Sequence, residues 1–160
     1  MTAQNPMFSH RKQSIGFTLI ELIAVIIIMG IIGAIVTPKF FNSTDFKARG
    51  FADHVLATLR YAQKAAIAQH RLVCVDLNST TSKLTLTIAN LSSDTSCGAT
   101  VLNLPDSTDN SLTAPSGVSF SPTSTVNFNA LGQANAATEI TISSITAHIF
   151  IEAETGYVHQ

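Results

Sequence analysis

The sequence predicts an α+β protein: a long N-terminal helix, apolar in its first half and amphipathic in its second, packed on an antiparallel β-sheet head. Three observations carry this. Residues 17–36 read FTLIELIAVIIIMGIIGAIV, an apolar run interrupted by one ionisable side chain, Glu21. Residues 46–70 carry apolar positions at spacings of three and four, the period of a helix with one buried face. Beyond Arg71 the apolar period falls to two, with turn residues between short runs, as in half-buried strands. The composition fits. Of 160 residues, 46% are apolar and 12% charged, about half the usual quarter of charged residues. A net charge of −1 argues against a charged disordered chain and against a basic nucleic-acid surface. Two cysteines are too few for a disulfide-rich miniprotein or a four-cysteine zinc site.

The elements follow in order. A polar leader ends at Gly16 and carries Arg11 and Lys12. The apolar run behind it, twenty residues from Phe17 to Val36, would rise about 30 Å as a helix, the thickness of a bilayer's hydrocarbon core. Arg11 and Lys12 favour a cytoplasmic leader and send the rest across, although Lys39, Lys47 and Arg49 dilute that signal. A cleaved secretory signal would have a shorter apolar core and a small-residue cleavage site after it. Neither is present, so the general reading is a signal anchor.

The junction is more specific than that. Arg11-Lys12-Gln13-Ser14-Ile15-Gly16-Phe17-Thr18-Leu19-Ile20-Glu21 resembles the class III signal of type IV pilins and pseudopilins. The resemblance implies that a prepilin peptidase/N-methyltransferase cuts after Gly16 and methylates the new amine of Phe17. Removing sixteen of the 160 residues leaves 144. It also implies that Glu21 meets the Phe17 amine of a neighbouring subunit during assembly. The physical reading agrees, because a carboxylate inside a span costs about 2.5–3.5 kcal/mol and calls for a cation at its own depth. Thr18-x-x-Glu21 is at the same time a capping-box pattern at a helix start, and the two roles are compatible. Gly30, Gly33 and Pro38 extend the match. The glycines let helices approach closely, at G-x-x-G spacing rather than the dimerising G-x-x-x-G. Pro38 removes a backbone donor and predicts a kink at the membrane boundary.

In the second helical half, Phe51, Val55, Leu59, Ala62, Ala66 and Gln69 form one face, widened by Phe46, Ala52, Leu56 and Ile67. Thr44 or Asp45 is the expected cap. An in-line helix from Phe17 to Gln69, 53 residues, would be about 80 Å long, so half must project from the head. That is the lollipop architecture of type IV pilins. Leu59–Ala66 and the closing Thr155-Gly156-Tyr157-Val158-His159 look like parts of minor pilins of the GspH/FimT or MSHA type. The organisation read this way is a leader (1–16), a transmembrane or filament-core helix (17–37), an amphipathic half (38–70) and a β-rich periplasmic head (71–160).

In the head, runs at 71–77 and 83–89 flank a turn at 78–82, a hairpin. Further strands are expected at 101–104, 117–120, 125–128, 139–142 and 148–152, in one antiparallel sheet half covered by the amphipathic helix. Cys74 and Cys97 fall on the side expected to leave the cytoplasm, where an oxidising compartment favours their pairing. The alternative is two unpaired thiols, with Cys74 filling a core-strand position.

No chemistry emerges. The sequence lacks a G-x-S-x-G elbow, a phosphate loop, a C-x-x-C pair and an H-x-E zinc signature. Asp106, Asp109 and Asn110 lack EF-hand spacing, and His54 and His70 read as solvated. No catalytic residue, metal or cofactor is expected. Beyond Arg71 one cation, Lys83, faces seven carboxylates, against nucleic-acid binding, which needs cations. The resemblance implies a filament subunit inserted in the inner membrane by a single span with its head in the periplasm. It is then drawn into a pilus or pseudopilus. Its partners are the peptidase, other pilin subunits and the inner-membrane assembly platform. A major pilin or pseudopilin is the alternative within that class. A single-span membrane-anchored enzyme or binding domain is the alternative outside it.

Overall fold

The computed structural model describes residues 16–40, 43–105 and 107–160, without the side chains of 35–40 and 43. The leader, with Arg11 and Lys12, lies outside the described residues, as does Asp106. The chain forms two compact units, residues 1–41 and 42–160. The expected in-line continuation crosses residues 41 and 42 and is likewise outside them.

The first unit is helix α1 (Leu19–Phe40). It starts two residues after Phe17 because Thr18 caps it: the Thr18 Oγ1 accepts from the Glu21 amide at 3.3 Å, and the Thr18 carbonyl from the Leu22 amide at 3.2 Å. The helix carries on through Pro38 to Phe40, so the proline does not end it. Among the described residues no helix is long and apolar enough to cross a membrane. The described side chains of α1 run from Leu19 to Ala34, about 24 Å of rise; Ile35 and Val36, which complete the expected span, lie outside them.

The second unit opens with α2 (Ser43–Gln69). Ala48, Phe51, Ala52, Val55, Leu59, Ala62 and Ala66 form its buried stripe, with Ala65 and Thr58 at its margins. Three expected members do not belong. Phe46 is 82% exposed and Ile67 44% exposed. Two residues of helix turn 200° and one turns 100°, which carries Phe46 to the far side from Ala48 and Ile67 to the flank of Ala66. Gln69 is exposed too. The helix closes with His70 at φ +49°, the Arg71 amide on the Ala66 carbonyl at 3.2 Å and the His70 amide on Ile67 at 3.4 Å. This is a Schellman ending with histidine at the position glycine usually holds.

Among the described residues eight strands follow: β1 (Val73–Asn78), β2 (Lys83–Ile88), β3 (Ser111–Thr113), β4 (Phe120–Ser121), β5 (Ser124–Phe128), β6 (Thr138–Ile142), β7 (His148–Ile151) and β8 (Val158–His159). They form two antiparallel sheets, ordered β3-β2-β1-β5 and β4-β6-β7-β8, where the sequence predicts one. Pro122 explains the division. It has no backbone donor, so the ladder cannot run through it; β4 before it joins the second sheet and β5 after it the first. The expected strand at 101–104 shrinks to a bridge between Val101 and Thr87. Its place along β2 goes partly to β3, with Leu84 opposite Leu112. Between them, Leu86 donates to Asn110 at 2.8 Å and Ile88 to Thr100 at 2.9 Å. Inward residues of both sheets meet α2 in a single core that includes Val75, Leu84, Val126, Phe128, Ile140, Ile149 and Val158.

Candidate functional site

The candidate site is the start of α1. Glu21 sits at the third helical position, its amide held by the Thr18 hydroxyl. A carboxylate in the first turn also complements the positive end of the helix dipole. Around it Phe17, Leu19, Ile20 and Leu22 are all exposed, Phe17 at 84%. Exposure continues on every side of the helix through Ile32. A helix apolar all round has no face suited to water and is at home in lipid or among other apolar helices. Gly30 and Gly33 lie along it, and a Cβ at either would meet nothing within 4 Å in this protomer.

Cys74 and Cys97 are bonded, with Cα atoms 6.0 Å apart. The pairing anchors the loop after β2 to β1, and both cysteines leave the list of possible nucleophiles.

Among the described residues nothing resembling a catalytic constellation accompanies these features. Among the described residues no three His, Cys, Asp or Glu side chains are grouped to hold a metal. A cleft of about 800 Å³ is lined by Asp45, Arg49, Asp53 and residues of the β6–β7 loop. A smaller one, about 250 Å³, lies between His54, Thr58, Leu104 and Leu112. His54 and His70 are exposed.

One surface escaped the reading of the sequence. On the outer face of the second sheet the rings of His148, Phe150, His159 and Tyr157 stack in succession, with centroids 6.2, 5.5 and 5.2 Å apart. His148 Nδ1 is hydrogen-bonded to Glu139, and His159 Nε2 lies 3.3 Å from Glu152. The signal is present as His148-x-Phe150 and Tyr157-x-His159, each an i, i+2 pair on one strand face. Joining the pairs requires the β7–β8 register, which sets Phe150 opposite His159.

An apolar helix with a lone carboxylate near its start, joined to a helix-on-sheet head, is the build of a pilin-like subunit. The chain belongs to the family described as type II transport protein GspH, which residues 52–155 match. Residues 11–37 match the prokaryotic N-terminal methylation motif, a signal that implies membrane anchoring. The family is one of structural subunits of type II secretion or type IV pilus systems, not of enzymes. The fold is similar to that of the minor pseudopilin EpsH from the type 2 secretion system of Vibrio cholerae, at 15% identity and TM-score 0.54, covering 71% of this chain and 94% of that one. It is also similar to the type IV minor pilin FimU of Pseudomonas aeruginosa, at 14% identity and TM-score 0.52, covering 69% and 90%. A curated relative, the type IV narrow pilus major component PilA5 of Thermus thermophilus, is 44% identical over 54 residues, 34% of this chain. The chain spans about half, 47%, of that relative's length.

Proposed function

We propose that the chain is a minor pilin or pseudopilin, cut between Gly16 and Phe17 by a prepilin peptidase that also methylates the Phe17 amine. Before assembly it rests in the inner membrane through residues 17–37, with the head in the periplasm. An inner-membrane assembly platform then draws it into a pilus or pseudopilus with other subunits. The observation that carries this reading is the exposed, all-round apolar surface of α1 inside a segment that matches the methylation motif. Moving that surface from lipid to a core of similar helices changes apolar burial little, so packing and the Glu21 contact set the register. Glu21 and the Phe17 amine of a neighbour form a charge pair in low dielectric, where each offsets the other's desolvation. Gly30 and Gly33 allow close helix approach, and Pro38 removes one backbone bond where the apolar run ends.

Mass analysis of the protein from its own cells tests the reading. The expected species has 144 of the 160 residues and begins with methylated Phe17. Gly16→Ala leaves the uncut precursor outside filaments. Glu21→Gln is cut normally, yet its incorporation falls about tenfold or more, as loss of a desolvated charge partner requires. A wild-type chain that keeps its initiator methionine in assembled material sinks the proposal.

A further inference from the structure

The chain carries its polarity in hydroxyls and carboxamides more than in charge, with 12% charged residues. Three Asn-x-Ser/Thr triplets occur in it: Asn42-Ser43-Thr44, Asn78-Ser79-Thr80 and Asn90-Leu91-Ser92. Such a triplet is the acceptor for an N-linked sugar, and it serves as one only on the surface of an exported segment. Asn42 lies outside the described residues. The other two differ in what surrounds the carboxamide.

Asn78 ends β1 and opens the turn to β2, where Thr80 and Thr81 are exposed. Its Oδ1 accepts from the Thr81 amide at 3.0 Å, an Asx-type turn that fixes the side chain. That bond draws electron density toward Oδ1 and makes an Nδ2 proton easier to remove. Among the described residues neither the Asn78 Nδ2 nor the Thr80 hydroxyl has a hydrogen-bond partner. The Ser79 amide donates to Thr123 Oγ1 at 3.0 Å, so a second loop holds the turn in place. Asp76, two residues earlier on the same strand face, is exposed and offers a binding enzyme an ionic handle. Asn90 offers less. Its Oδ1 accepts from the Thr100 hydroxyl, and its Nδ2 would lie 3.3 Å from a Cβ at Gly98. Gly98, next to the disulfide-bonded Cys97, thus packs over this carboxamide. Two residues before Asn90 stands Ile88, which is buried.

From this contrast we propose that Asn78 is an N-glycosylation site, modified in the periplasm by an oligosaccharyltransferase that uses a polyprenyl-diphosphate-linked sugar. An Asn78 Nδ2 proton passes to a carboxylate base of the transferase, and Nδ2 bonds to the anomeric carbon of the sugar. The bond from that carbon to the diphosphate oxygen breaks, and the polyprenyl diphosphate leaves with the electron pair. Nothing is oxidised or reduced. The glycan hydrates the β1–β2 end of a head that has few charges to do so. The proposal rests on the periplasmic placement of the head.

The protein purified from its own cells is reduced, digested with trypsin and sequenced by electron-transfer fragmentation. Cleavage after Arg71 and Lys83 releases the peptide 72–83, which is expected to carry whole sugar residues on Asn78. N78Q removes the sugar. T80A lowers the modified fraction about tenfold or more and T80S keeps it, because the hydroxyl is the group recognised. A bare wild-type peptide 72–83, sugar on a serine or threonine oxygen, or sugar on Asn90 instead overturns the proposal. So does a modified fraction unmoved by T80A. The wild-type result needs no variant to fold. The N-terminus in the same digest separates the two ideas. Methylated Phe17 with a bare 72–83 peptide sinks the glycan alone; an uncut leader sinks the subunit reading and leaves the site standing wherever Asn78 carries sugar.

Discussion

Gln63 ties three parts of the head together with one amide. Its Nε2 donates to the Gly132 carbonyl at 3.1 Å and to the Thr155 carbonyl at 2.9 Å, so α2 holds both the 129–133 turn and the β7–β8 hairpin. The two loops meet at glycines with positive φ, +83° at Gly132 and +62° at Gly156. A Cβ on Gly156 would fall inside the Gly132 carbonyl oxygen and press on Gln63. The left-handed backbone alone costs a residue with a Cβ about 1–2 kcal/mol. Gly156→Ala must also move backbone, so a loss of more than about 2 kcal/mol is expected. In a head of 119 residues (42–160) that lowers Tm by roughly 10 °C. Thermal unfolding of the variant checks it, and an unchanged Tm would show that the two loops are not locked together. At this scale the helix start is legible where identity alone carries the chemistry: the Thr18 hydroxyl caps the Glu21 amide, as the Thr18-x-x-Glu21 pattern predicts. Gln63 is not legible, since an exposed-looking glutamine says nothing of two carbonyls 69 and 92 residues away.

Elements read well when their period is long enough to show. The β1–β2 hairpin, β5, β6 and β7 appear in the sequence because alternation runs four to six residues. Ser111-Leu112-Thr113 has one apolar residue and becomes β3 only because the edge of β2 is free to pair. Alternation reports which face a residue takes and not which strand lies beside it, so the split into two sheets was hidden behind Pro122. The loop after β2 is the element most dependent on a covalent tie. Cys97 holds it to β1 across a separation of 23 residues, helped by the Asp94 carboxylate accepting from the Leu91 amide at 2.9 Å. Loop-closure entropy puts that bond at about 3 kcal/mol. Replacing both cysteines by serine should cost about that much in denaturant unfolding. Faster amide exchange should stay within residues 89–101, because the six-pair β1–β2 ladder does not use the disulfide. Exchange that spreads through β1 would mean the bond supports the sheet itself.

On the scale of the whole molecule, two units face two different environments. The described core residues all lie between Ala48 and Val158. The head therefore carries an apolar core of its own. Every large apolar side chain of α1 from Leu19 to Ile32 is exposed in the protomer, so its apolar surface waits for lipid or for other subunits. Folding and assembly are thus separable in the chain. A protein starting at residue 42 should be soluble and show a Tm within about 2 °C of the head in the full-length protein in detergent, because the described core lies within residues 48–158. It should be unable to enter filaments, having no apolar helix to place in their core. Side-by-side thermal unfolding, with filament incorporation measured in the same cells, checks both halves. A truncated head that is molten would show that α1 contributes to the core. Incorporation of a stable truncated head would move the assembly determinants from Glu21 and the apolar helix to the faces of the head.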